Sequence, residues 1–311
     1  MPKSLSEKYY ISEILKNNRT VLSKAITLTE SRKPEHQKLS QNIIQKCLPH
    51  SGNSLRIGIT GAPGVGKSTF IEALGNHLLL KGKKIAVLAI DPSSKKSGGS
   101  ILGDKTRMEK LSSSENVFIR PSPTSGELGG TGAATREAII LCEAAGYEII
   151  FVETVGVGQS ETDVYSMVDF FLLLTVTGTG DELQGIKRGI MEMTDLIVIN
   201  KSDNEHLKSQ ISNLKSQISN ALHFFPPSES GWTPKALTCS SLTGDGIDLI
   251  WKTISEYFAL VKKNDYFSKK RKEQKVFWFR ESLEKELKNK LYSSQKIKEL
   301  IKKTEKKILS S

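Results

Sequence analysis

Residues 61–69 read GAPGVGKST, and this short run restricts the fold more than any other part of the chain. It fits the pattern GxxxxGK[ST]. The apolar run LRIGIT (55–60) precedes it, and a helical pattern follows to about Leu80. Strand, glycine-rich turn and helix in that order make a phosphate-binding loop. Gly61, Gly64 and Gly66, with Ala62, Pro63 and Val65 between them, let the backbone curl into a nest of N–H groups, and the helix adds its positive N-terminal end. Lys67 is placed to reach β- and γ-phosphates, Ser68 to ligate Mg2+ and Thr69 to bond an α-phosphate oxygen.

The rest of the chain supplies a fold for such a loop. Apolar runs recur at 84–90, 117–120, 147–153, 170–176, 195–200 and 235–239, with helical patterns between several of them. Most are continuous rather than alternating, which is the pattern of parallel strands covered on both faces. The expected class is α/β, a doubly wound, mostly parallel sheet of the P-loop NTPase type. Before it, residues 4–48 have helical spacing, so residues 1–50 form a helical N-terminal extension and residues 51–262 the core. The repeat LKSQISN at 207–213 and 214–220 puts Leu207, Ile211, Leu214 and Ile218 on one face of a single amphipathic helix.

Charge marks a third segment. Of the 45 basic and 34 acidic residues, 17 and 7 lie in residues 262–311, so the formal +11 is almost all C-terminal. A nearly neutral body argues against nucleic acid as the partner of the core. Within residues 263–311, Val276, Phe279, Leu283, Leu287 and Leu291 step by three and four among Lys and Glu, and Ile297, Leu300, Ile301 and Ile308 continue the pattern. This amphipathic arm is expected to pack on protein, most simply in a dimer, rather than to serve as an RNA- or membrane-binding module.

The base is read from NKSD at 200–203, directly after DLIVI. Guanine presents an imino N–H and an amino group side by side, and the Asp203 carboxylate accepts both; adenine offers no such pair. Asn200 ties this loop to the phosphate loop, and the stem of Lys201 covers the purine. Cys239, Ser240 and Ser241, after the last strand, are placed to offer N–H groups to the guanine carbonyl. GTP and GDP are therefore the expected ligands. Asp91 and Glu153 end strands at the nucleotide crevice, and Asp104 lies in the glycine-rich stretch between. These carboxylates are candidates for Mg2+ binding, directly or through water, or for orienting the attacking water. Gly156 completes Glu153-Thr-Val-Gly156, a variant of the DxxG pattern whose glycine senses the γ-phosphate. Asp181 and Lys187 sit in a further glycine-rich loop, either a connector or a contact for a partner.

GAPGVGKST, DPSS, GDKTRM, ETVGVGQSE, GDELQGIKRG and NKSD, in this order, resemble the MeaB/ArgK family of P-loop GTPases, the methylmalonyl-CoA mutase-associated chaperones also labelled LAO/AO transport ATPases. The likeness runs from about Ala25 to about Trp251. It implies a metallochaperone-like GTPase core, a C-terminal dimerisation arm, and metal or switch roles for Asp91, Asp104 and Glu153. It also implies a third switch around Asp181 and Lys187 that couples hydrolysis to an adenosylcobalamin-dependent mutase, whose cofactor loading the family gates or which it protects. The Lys-rich arm and the LKSQISN duplication depart from the family pattern. Two alternatives share the core. A nickel-insertion GTPase calls for a His-rich tract or a Cys-centred site, and the five His and three Cys are scattered. A transport-associated ATPase conflicts with NKSD. No secretory leader or transmembrane run is visible, so a cytoplasmic homodimer with reduced thiols is expected, with slow turnover that a partner accelerates.

Overall fold

A computed structural model describes residues 5–31, 33–91, 108–123, 130–154, 160–177 and 188–309. They fall into two compact units, 1–267 and 268–311.

The first unit opens with three helices where the sequence suggests one helical region: α1 (Glu7–Leu15), α2 (Arg19–Glu30) and α3 (Pro34–Cys47). The breaks have local causes. Ser6 and Asn18 cap the first two helices through their side chains, Asn17 takes a left-handed φ of 63°, and Pro34 starts the third, where its missing N–H costs nothing. Ile14, Leu22, Ile26 and Ile43 are fully buried or nearly so, while Leu15 of the same pattern is exposed.

The core is one seven-stranded sheet. β1 (Leu55–Gly61) leads into α4 (Lys67–Leu79), β2 (Ile85–Asp91), the short α5 (Glu109–Ser112), β3 (Val117–Pro123) and α6 (Gly130–Ala144). Then come β4 (Ile149–Thr154), α7 (Ser160–Tyr165), β5 (Phe170–Thr175), α8 (Arg188–Met193), β6 (Leu196–Ile199), α9 (Lys208–His223), β7 (Lys235–Thr238) and α10 (Ile247–Lys263). The order is β3-β2-β4-β1-β5-β6-β7, and every pairing is parallel. β1 sits where the winding reverses, between β4 and β5, so its carboxyl end opens onto the crevice where such sheets bind ligands.

The structure differs from the sequence reading in several places. β3 runs on past Arg120 to Pro123, because it is the edge strand and Pro121 and Pro123 need no partner on the outer side. Tyr147 precedes β4 and instead packs its ring against Phe118. The sequence reading did not single out α10, although Ile247, Ile250, Ile254, Phe258 and Val261 step at helical spacing and are buried against the sheet. The duplicated heptads form α9 with Ile211, Leu214 and Ile218 buried, while Leu207 falls in the turn before it.

At the opposite end of the strands from the nucleotide crevice, Glu143 of α6 forms a buried fork with Arg56 of β1, at 2.8 Å to Nε and 2.9 Å to Nη2. It also accepts from the Ser54 hydroxyl at 2.5 Å and the Gly52 N–H at 2.8 Å. Breaking such a pair leaves a buried guanidinium without its carboxylate, so Glu143→Ala should cost about 3–5 kcal/mol. Chemical denaturation will show this as a lower midpoint, with nucleotide affinity of the folded protein unchanged.

The second unit consists of helix. α11 (Tyr266–Ser293) enters it and α12 (Gln295–Leu309) follows. Phe279, Leu283, Leu287 and Leu291 of the expected stripe are exposed in the single chain. No helix among the described residues is long and apolar enough to cross a membrane.

Candidate functional site

The phosphate loop is held from below by close packing. Gly61 has φ 153°, and a Cβ there would press into the Leu174 carbonyl of β5. Gly66 has φ 92°, and its Cβ would lie 2.7 Å from Asn200 Nδ2. Only glycine meets both conditions at these positions. Ala62, Pro63, Gly64 and Thr69 are exposed to the crevice, Ser68 is half-buried, and Val65 is buried.

Lys67 is buried at the first turn of α4. Its ammonium donates to the carbonyl oxygens of Gly61 at 2.7 Å and Ala62 at 3.2 Å. Burial pulls its pKa below the ordinary lysine value, while the charges of Glu153 and Glu161 pull it back up. Ser68 Oγ donates to Glu153 Oε1 at 3.4 Å, and Glu153 is itself buried near the end of β4. Beside it, the Thr154 and Thr60 hydroxyls bond at 2.9 Å.

Asn200 is the junction of the site. Its Nδ2 donates to the Val65 carbonyl at 2.8 Å. Its Oδ1 accepts from Ser241 N at 3.0 Å, Ser241 Oγ at 2.8 Å and Cys239 Sγ at 3.5 Å. One buried side chain thus joins the phosphate loop, the NKSD turn and the loop after β7. Lys201, at a left-handed φ of 60°, donates to the Gly64 carbonyl at 2.9 Å and lays its stem between the two loops. Asp203 is exposed, and the Ser240 hydroxyl, then its own N–H, hold its carboxyl below the usual carboxylate value. Ser202 N–H adds a bond to the Cys239 carbonyl at 3.0 Å, a contact not anticipated from sequence. Burial pushes the Cys239 thiol up to about 12, so it serves as a donor and not as a nucleophile.

The N–H groups of Cys239, Ser240 and Ser241 bond to Ile199 O, Asp245 O and Asn200 Oδ1, which ties this loop to β6 and to the NKSD turn. Alongside lies an open cavity of about 390 Å³, lined by Thr69, Ala73, Asn76, Ser241, Leu242 and Thr243 among others.

Asp91 is the last residue of β2, at the crevice end of the sheet. Asp104, Gly156, Asp181 and Lys187 lie outside the described residues. Just after the stretch that carries Asp104, Glu72 of α4 accepts from the Lys110 N–H at 3.0 Å, and Leu111 packs on Gly75. Among the described residues no cluster of three or more His, Cys, Asp or Glu could hold a metal ion. Ser68 and Glu153 nevertheless put two hard oxygens side by side at the phosphate loop. That suits Mg2+, which takes few protein ligands and completes its shell with phosphate and water. Glu161 was not given a role from sequence, although it closes the ETVGVGQSE run.

A phosphate loop on a parallel sheet, joined through Asn200 to an NKxD turn, defines a P-loop GTPase. The family model described as methylmalonyl Co-A mutase-associated GTPase MeaB matches residues 22–296. The chain is 47% identical over 285 residues to the Escherichia coli protein named GTPase ArgK, covering 92% of this chain and 86% of that one. It is 43% identical over 307 residues to the mouse protein named methylmalonic aciduria type A homolog, mitochondrial, covering 96% and 74%. Among solved structures, one titled LAO/AO transport system kinase superposes with a TM-score of 0.80 at 39% identity, covering 97% of this chain and 92% of that one. The hydrogenase maturation factor HypB of Archaeoglobus fulgidus, at 19% identity and a TM-score of 0.50, covers 68% of this chain and 94% of its own, and shares the fold alone. The chain belongs to the MeaB family of methylmalonyl Co-A mutase-associated GTPases, and it is a GTP hydrolase of the P-loop class.

Proposed function

We propose that this GTPase is a switch and chaperone for an adenosylcobalamin-dependent acyl-CoA mutase, methylmalonyl-CoA mutase first among the candidates, gating cofactor loading or protecting the mutase. The observation that carries the nucleotide half is the Asn200 junction, since a ligand with phosphates at one end and a purine at the other would meet both loops it joins. The mutase half is supported by the family's description and by a relative named for methylmalonic aciduria.

In this reading Lys67 leaves the Gly61 and Ala62 carbonyls for the β- and γ-phosphates of GTP. Gly61–Thr69 supply N–H groups and hydroxyls to the phosphates, Lys201 covers the base, and Asp203 accepts from its imino and amino groups. Mg2+, when bound, would spread the charge that builds on the phosphate oxygens. Ser68 and Glu153 would hold it, and we assign Asp91 and Asp104 to the same ion, directly or through water. Glu153 and Asp104 would orient the attacking water. Gly156 and Lys187 belong to the switch segments that answer to the γ-phosphate and the partner. We assign residues 263–311 to homodimerisation, supported by the exposed stripe from Phe279 to Leu291. A reducing compartment such as the cytoplasm fits the free, buried Cys47, Cys142 and Cys239.

The test is binding to the mutase from the same source by calorimetry, with GDP or a non-hydrolysable GTP analogue present. A switch requires affinities that differ between the two states by about tenfold or more. Equal affinities, or no complex in either state, would contradict the proposal.

A further inference from the structure

Glu161 is a charged side chain at 1% exposure that the sequence reading passed over. It lies in the first turn of α7, which carries the chain from β4 back to the start of the parallel β5. The helix therefore runs against the strands, and its first turn lies at their carboxyl ends, beside the phosphate loop. Val164, one turn on, packs against β1: a Cβ on Gly58 would come within 2.9 Å of it. Residues three apart share a helix face. Glu161 thus faces the same layer nearer the nucleotide end, where Glu153 and the bonded Thr60 and Thr154 lie. The Lys67 ammonium feels the charges of both Glu153 and Glu161. Among the described residues, the phosphate site accordingly sets two carboxylates beside the Lys67 ammonium, which is to meet a polyanion.

We propose that Glu161 makes nucleotide binding depend on Mg2+: its carboxylate is a fixed negative charge behind the phosphate loop, opposing a bare di- or triphosphate and offset when the cation enters with it. This rests on the reading that the site takes Mg2+ with its nucleotide. It gives the closing residue of ETVGVGQSE a task distinct from metal ligation. In this proposal Glu161 acts through the field it sets at Lys67, which makes it a positioning residue. Its conservative replacement must keep the effect, and a neutral one of equal length must lose it.

The measurement is the Kd of a fluorescent GDP, in EDTA and in Mg2+, for the wild type, Glu161→Gln and Glu161→Asp, with thermal melts to confirm folding. One such charge acting in a partly screened interior is worth about tenfold in binding. The Gln variant should bind GDP about tenfold tighter than wild type in EDTA and within about threefold of it in Mg2+. The Asp variant should keep most of the wild-type ratio. Should the Gln protein fail to fold, Glu161→Met, of similar length and uncharged, repeats the test. A folded neutral variant with the wild-type ratio of the two Kd values overturns the proposal. A wild-type protein that binds GDP equally with and without Mg2+ overturns the Mg2+ reading itself, and this inference with it.

Discussion

Lys67→Ala should lower GTP turnover by about a thousandfold or more, the scale seen when a donor aimed at developing charge is removed. Phosphoryl transfer asks little covalent work of a protein and much placement of charge. Lys67 is the only ammonium that the loop itself carries, and it is already inside the site, resting on the Gly61 and Ala62 carbonyls at 2.7 and 3.2 Å. The loss should not come from unfolding. Burial disfavours the Lys67 charge while Glu153 and Glu161 favour it, so the alanine protein should melt close to the wild-type temperature. Single-turnover hydrolysis with saturating GTP, paired with a melt, checks both halves. Near-normal turnover in the variant would remove Lys67 from the mechanism.

The second large effect belongs to Asp203. Its carboxyl is exposed and held ionised by the Ser240 hydroxyl and its own N–H, and in the function proposed above it accepts the two donors of the base at once. Hydrogen bonds to a charged group contribute about 1.5–3 kcal/mol each. Asp203→Ala should therefore weaken GTP binding by about a hundred- to ten-thousandfold while barely changing the weak binding of ATP. Asp203→Asn sharpens the test. Its amide offers one donor and one acceptor, which suits xanthine, where a carbonyl replaces the amino group of guanine. XTP should then bind the Asn variant better than GTP does. Competition against a fluorescent nucleotide gives all the constants, and unchanged GTP affinity in both variants would place the base elsewhere.

What could be read from the sequence was chemistry carried by neighbours in the chain. GAPGVGKST and NKSD each fix their own turn, so their roles follow from spacing. That Asn200 would bridge them was legible because an amide beside an NKxD carboxylate has one obvious phosphate loop to reach. Interactions across the chain were not legible. The Arg56–Glu143 fork joins residues 87 apart. Arg120 of β3 bonds Glu30, Thr27 and Ser23, all on one face of α2, and nothing local announces it. β3 looked shorter than it is because a proline signals a stop only where both strand edges are paired. Glu161 was hidden by composition, since an acidic residue after a glycine-rich loop reads as surface, and only the direction of α7 turns it inward. The bonds from the N–H groups of Cys239–Ser241 to Ile199, Asp245 and Asn200 also join residues far apart in the chain, so spacing does not announce them.

The account stands most directly on one measurement, the rate of GTP hydrolysis with and without the adenosylcobalamin-dependent methylmalonyl-CoA mutase from the same source, with ATP as the control. A GTP switch coupled to that mutase predicts slow turnover alone, clear acceleration on adding the mutase, and no comparable rate with ATP. Turnover of ATP as fast as GTP, or a GTP rate that the mutase leaves unchanged, would contradict it.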